Sequence, residues 1–200
     1  MNRFFLLLAG ALVFTVNTIS LSAQNENKLV KVPHQISFET GYRNVFSLID
    51  NSTAINGNSA THGIGALLDY GWQVSGLNGQ KPAVYLTVPI GYTKMFADNP
   101  ASKDISMLNY GWTVRHNLNR DKKFTPFVGY GLLLNTLKID DTVGGVMGHQ
   151  TQFELGTNLN TKTRIKYFAK FQYSYTSYPR LNDSKRIHFQ FLDLRIGARF

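Results

Sequence analysis

The chain contains no cysteine. That excludes disulfides as a source of stability and lipid attachment through a cysteine. A second absence is helical periodicity: no stretch has apolar residues spaced at three and four with capping residues at its ends. Beyond the first two dozen residues there is also no apolar run near the roughly 20 residues that a membrane-spanning helix needs. Acidic residues are in short supply, 12 against 21 Lys and Arg, for a formal charge of +9 and a pI near 9.8. Such a balance in a cytoplasmic chain would point to nucleic acid. The N-terminus argues against that partner, because it directs the chain out of the cytoplasm.

The opening MNRFFLLLAGALVFTVNTISLSAQ places Arg3 before an apolar run from Phe4 to about Val16, then a polar stretch closing on Leu21, Ser22 and Ala23. This is the layout of a secretory signal peptide over 1–23, cleaved after Ala23. Residues 24–33 are polar and basic without periodicity and read as a short tether. Residues 34–200 are enough for one domain, and 43% hydrophobic with 13% aromatic residues argues against disorder.

From residue 34 onward apolar side chains recur at every second position. Ile36, Phe38, Thr40 and Tyr42 alternate with Ser37, Glu39, Gly41 and Arg43; Ile64, Ala66, Leu68, Tyr70 and Trp72 alternate with Gly65, Leu67, Asp69 and Gly71. The pattern returns around Val84–Tyr92, Leu108–Val114, Pro126–Leu134, Thr151–Leu159 and Ile165–Tyr175, and closes in FLDLRIGARF, residues 191–200. Alternation is the period of a strand with one apolar face. Connections too short for crossovers imply an antiparallel meander of about eight strands. Three connectors, SGLNGQKP (75–82), NLNRDKK (117–123) and NTKT (160–163), are compact turns. Those between them, roughly 47–60, 96–104, 138–148 and 177–186, are longer. Short turns at one end and long loops at the other predict an up-and-down transmembrane β-barrel with its turns and both termini in the periplasm.

The second face decides between a membrane barrel and a soluble one. It carries Gly63, Gly65, Gly71, Gly91, Gly111, Gly129, Gly131 and Gly156 rather than rows of Lys and Glu. Small residues suit a cramped lumen. Tyr42, Trp72, Tyr92, Trp112 and Tyr175 on the apolar face fit aromatic girdles. Leu67, Phe127, Leu133 and Phe168 fall on the presumed inner face and keep a soluble barrel or sandwich as the alternative.

The signal peptide, the eight alternating segments, KFTPFVGYGL (123–132) opening the fifth strand after a basic turn, and the terminal Phe200 resemble the small bacterial outer-membrane β-barrels of OmpA/OmpX and OmpW type. The resemblance implies a Gram-negative outer-membrane location and contact with lipids including lipopolysaccharide. It also implies a C-terminal aromatic, Phe200, that serves as the signal for the barrel-assembly machinery. Activities differ across such barrels: surface structures and adhesins, passage of small apolar molecules, and a few lipid A acyl-modifying enzymes.

For catalysis the best local candidate is GHQTQFE, with His149, Thr151 and Glu154. Its parity is wrong, since Glu154 points inward and the other two outward. His116, next to the NLNRDKK turn, reads as a periplasmic rim residue, and His62 and His188 near loop ends have no evident ligand partners, so no metal or cofactor is expected, and the chain reads as a monomer without enzymatic activity. The inward charges Glu39, Arg43, Asp69, Arg115, Glu154, Lys166, Lys170, Asp193 and Arg195 carry both signs and predict a compensating network, because unpaired they would be costly. With NTKT taken as a tight hairpin, Phe153 faces Phe171, Leu155 faces Ala169 and Glu154 faces Lys170. A barrel of eight strands is just wide enough for side chains to fill. These residues therefore predict a plugged interior and no general porin activity. Lys28, Lys31, Lys81, Arg120, Lys122, Lys123, Lys162 and Arg164 place most of the basic excess at the turn end.

Overall fold

The computed structural model describes residues 33–48, 59–75, 83–118, 123–140, 145–161, 164–182 and 185–200. The expected signal peptide and all of the tether but Pro33 lie outside the described residues, as do most of the basic turn positions. Eight strands follow in chain order: β1 (His34–Leu48), β2 (His62–Ser75), β3 (Ala83–Phe96), β4 (Ile105–Asn117), β5 (Phe124–Ile139), β6 (Val146–Leu159), β7 (Lys166–Asn182) and β8 (Lys185–Arg199). Each pairs antiparallel with its neighbours, and β1 pairs with β8 to close the barrel. Closure removes every free edge, which is the condition for a sheet to sit in hydrocarbon. Among the described residues no helix is long and apolar enough to cross a membrane.

The closing seam extends one residue past β8. Phe200 N–H donates to the Ile36 carbonyl at 2.9 Å, and Ile36 N–H donates to the Phe200 carbonyl at 3.3 Å. Phe200 is thus held in the ladder while its ring remains exposed on the outer face. Register shifts mark the β1–β8, β2–β3 and β7–β8 ladders, and the β3–β4 ladder has a gap. Between β3 and β4 the register passes from Thr87↔Thr113 to Ile90↔Tyr110, skipping Val88 and Pro89, because a proline has no N–H to contribute.

The two faces follow the alternation. Ile36, Phe38, Ile64, Leu68, Ile90, Leu132, Phe153, Phe171, Leu194 and Ile196 point outward and are exposed, Phe171 at 65%. An apolar surface this continuous around a barrel is lipid-facing. Aromatic and histidine rings pack beside it near the two ends: Trp72 edge-on to Trp112 at the turn side, and Tyr175 stacked on His188 at the loop side.

Small residues make room inside. A Cβ on Gly129 would lie 2.5 Å from Glu154 Oε1, and one on Gly156 would lie 2.4 Å from Phe127 Cζ. Gly129 and Gly156 therefore sit where a neighbouring strand sends a large side chain across the lumen.

Two expectations need correction. First, β6 and β7 pair two residues away from the predicted register: Phe153 faces Tyr173, Leu155 faces Phe171, and Glu154 faces Gln172, while Lys170 faces Gly156. Asn160, Thr161, Arg164 and Ile165 lie outside both strands and the ladder ends at Leu159↔Tyr167, so NTKT is not a tight two-strand hairpin. A shift of two preserves which face each side chain occupies. Second, 177–186 is not a long loop, for β7 and β8 run on to Asn182 and Lys185 with a register shift between Tyr178 and Asn182. Inward Tyr178, Ile187 and Phe189 bury there and carry the pairing outward.

Candidate functional site

The interior is built in layers along the barrel axis, each strand supplying every second residue. Toward the turn end, Arg115 is the hub. Its Nε donates to Glu154 Oε1 at 2.7 Å, and its Nη2 lies 3.7 Å from Glu39 and 3.8 Å from Asp69. Lys170 bridges two of the same carboxylates, 2.7 Å from Glu154 and 2.8 Å from Glu39. The Arg115 guanidinium also rests over Phe127 at 4.9 Å and Phe168 at 5.8 Å. All five charged groups are buried, with Glu39 and Glu154 at 0% exposure. Such a cluster is tolerated only because each ion has an opposite partner.

Nearer the loop end is a second cluster. Arg43 grips Asp193 with both Nε and Nη2, each at 2.7 Å, a planar fork that matches the carboxylate. Arg195 approaches the same Asp193 at 3.4 Å, and Gln172 donates to it at 3.2 Å. Beside it runs an amide and hydroxyl chain. Asn135 donates to Asn109 and, at 3.0 Å, to Gln150. Tyr178 donates to Asn135, and Gln152 donates to Thr113 at 3.2 Å.

Above these polar layers the lumen turns apolar. Met95, Ile105, Met107, Leu137, Ile139, Tyr178, Ile187, Phe189 and Phe191 form one buried cluster at the loop end. Phe191 stacks on Phe189 and lies 4.7 Å beneath the Arg43 guanidinium. At the opposite end is a polar cavity of about 170 Å³, lined by Gln35, Tyr85, Asn117, Asn158, Lys166 and Arg199 among others.

Outside the spanning segments, the 97–104 connection is clasped to the start of β2. Asp98 accepts hydrogen bonds from Ser59 Oγ at 2.6 Å and from Thr61 Oγ1 at 2.9 Å, with His62 Nδ1 at 3.4 Å. Burial works against ionisation of the Asp98 carboxyl, but the bonds from Ser59 and Thr61 outweigh it and hold the group below its usual range. Asp104 is likewise lowered, by the Ala97 N–H at 2.9 Å and by Lys94 at 3.0 Å.

Of the sequence-predicted interior charges, Glu39, Asp69, Arg115, Glu154 and Lys170 come together in one cluster and Arg43, Asp193 and Arg195 in the other. Lys166 does not join them. It has the inward parity but stands exposed at the turn-side rim, against the cavity, because it is the first residue of β7. Lys170 reaches Glu154 diagonally rather than from the facing position. Sequence reasoning missed Arg199, which is buried. Its parity with Asp193 and Arg195 was the available signal. It missed the apolar loop-end cluster as well, since apolar residues on both faces of a strand leave no contrast to read.

The residues considered for acyl chemistry are not assembled: His149 and Thr151 are exposed on the outer face, whereas Glu154 is held inside by Arg115 and Lys170. His188 Nδ1 is 2.7 Å from Tyr175 OH, and His116 stacks on Tyr130. No group of three metal-ligating side chains occurs among the described residues.

No protein-family model and no curated protein sequence matches the chain. Solved structures do. The chain is similar to Neisserial surface protein A (NspA), with a TM-score of 0.61 and 13% identity over 84% of this chain and 97% of that one. It also matches the outer-membrane protein OprG of Pseudomonas aeruginosa, TM-score 0.46, 12% identity, 84% and 97% coverage. A third match is the attachment invasion locus protein Ail of Yersinia pestis, TM-score 0.44, 14% identity, 84% and 99% coverage. Closed eight-strand topology, a continuous lipid-facing belt and the likeness to NspA agree: the chain has the fold of the small outer-membrane β-barrels of OmpA/OmpX/OmpW type.

Proposed function

We propose that this chain is a structural or surface-interaction barrel of the outer membrane, closed to ions and solutes, with its loops as the outward-facing surface. The observation that carries this reading is the packing of the lumen. Two buried ion-pair clusters lie in the middle, and Phe189, Phe191, Tyr178 and their apolar neighbours pack together at the loop end. Water entering from outside would have to displace side chains that are at most 3% exposed. On this reading the belt contacts lipid, including lipopolysaccharide, the molecule acts as a monomer, and Phe200 marks the closing strand for the assembly machinery. Planar-bilayer recordings of the purified protein test it: little stable conductance is expected, and a steady, large open channel would refute the closed lumen.

A second reading, passage of small apolar molecules through the wall, is favoured by one feature, the ladder break at Val88 and Pro89 in the middle of β3. Retention of a hydrophobic probe inside the barrel, lost when Pro89→Val restores the missing N–H, would support passage over a purely structural role.

A further inference from the structure

Among the described residues the buried charges of the barrel do not cancel. Arg43, Arg115, Lys170, Arg195 and Arg199 stand against Glu39, Asp69, Glu154 and Asp193, one cation more than there are carboxylates. All four carboxylates are engaged, three by Arg115 and Lys170 and the fourth by Arg43 and Arg195. Among the described residues Arg199 is the cation left over. It is 5% exposed, its Nη1 donates to Asn158 Oδ1 at 3.1 Å, and its guanidinium lies 5.1 Å over Phe168. Its Nε and Nη2 have no acceptor among the described residues. A guanidinium cannot shed its proton to escape this position. Those two nitrogens form the edge with which Arg43, in the same lumen, holds both oxygens of Asp193 at 2.7 Å.

Arg199 borders the turn-side cavity, together with Lys166, Asn117, Asn158, Gln35 and Tyr85. Among the described residues Gln35 Nε2 is also without an acceptor, and no carboxylate lines the space. At about 170 Å³ the cavity is smaller than the roughly 300 Å³ at which pockets take drug-sized molecules. We propose that it is an oxyanion site of the phosphate class, in which the anion neutralises Arg199. Its Nε and Nη2 are enclosed, so the guanidinium rotates off Phe168 to present its forked edge to the cavity. The anion is either the phosphodiester of a lipid headgroup at the turn-side rim or free phosphate, and both use the same fork.

The test uses the full barrel in maltoside micelles, which contain no phosphate. Inorganic phosphate is titrated at constant ionic strength against chloride while the NMR signals of Arg199, Asn158 and Gln35 are followed. Saturable shifts are expected, weakened about tenfold or more in Arg199→Gln, as for loss of a charge-assisted pair. Nanodiscs containing phosphatidylglycerol separate the sources. Signals already at the saturated position without added phosphate identify the headgroup, and signals still responsive to phosphate identify the free ion. An equal response to chloride, no saturable response, or an unchanged response in Arg199→Gln overturns the site. Should Arg199→Gln not fold, Asn117→Leu fills the cavity and leaves Arg199 in place; phosphate binding that survives it also overturns the proposal.

Discussion

Lys170 is shared by two buried carboxylates. Its ammonium sits 2.8 Å from Glu39 and 2.7 Å from Glu154, and all three groups are buried. At an effective dielectric near 20, unit charges about 2.8 Å apart attract by roughly 6 kcal/mol. Desolvation offsets much of that, and removing one partner of a buried pair costs about 3 to 5 kcal/mol. Lys170→Met should therefore destabilise the barrel by about 3 to 5 kcal/mol in reversible urea unfolding, followed by the fluorescence of Trp72 and Trp112. The two carboxylates left behind are not equivalent. Glu154 keeps Arg115 Nε at 2.7 Å, whereas Glu39 keeps only Arg115 Nη2 at 3.7 Å. Adding Glu39→Gln to Lys170→Met should thus recover more stability than adding Glu154→Gln. A single loss below about 1 kcal/mol, as at exposed pairs, would refute the dry cluster. Equal rescue, or losses that simply add, would refute the geometry.

Three further outcomes are expected. Phe200→Asp keeps the backbone bonds to Ile36 and removes a ring that is 61% exposed; stability should change by less than the about 1.5 to 3 kcal/mol of a fully buried aromatic, while outer-membrane levels collapse, and normal levels would show that Phe200 is no assembly signal. Gly156→Val places a Cβ 2.4 Å from Phe127 Cζ and 2.5 Å from the Ala169 carbonyl oxygen, so unfolding measurements should show a loss of about 1 to 3 kcal/mol from overpacking. Asp98 has a folded value below its unfolded one. The clasp to Ser59 and Thr61 should contribute fully above the unfolded carboxylate value of about 3.9 and open as pH falls through the lower folded value. Protease sensitivity of 97–104 should rise over that range, and Asp98→Asn should reduce the pH dependence to the part carried by Asp104.

Most of the fold was legible from alternation, because a barrel wall repeats one simple rule: apolar toward lipid, small or charged toward the lumen. The parity of Glu39, Arg43, Asp69, Arg115, Glu154, Lys170, Asp193 and Arg195 could be read without any partner being known, and the structure places all eight inside. Register was harder. A slip of two residues at β6 and β7 leaves every side chain on its own face, so the pattern cannot detect it. Lys166 shows a related limit: parity assigns a side, but whether a residue is inside the wall or at its rim depends on where the strand begins. At the loop end, Met95, Met107, Leu137 and Phe191 line the lumen while Tyr92, Leu108, Leu134 and Leu192 occupy the opposite face. With both faces apolar, periodicity loses its signal.

Cell fractionation followed by gel electrophoresis with and without heating tests the central claim most directly. An eight-stranded barrel with a lipid-facing belt should sediment with the outer membrane, and it should migrate differently before and after boiling because the closed sheet resists detergent until heated. Recovery of the mature protein as a soluble periplasmic species, with one heat-independent mobility, would contradict the account.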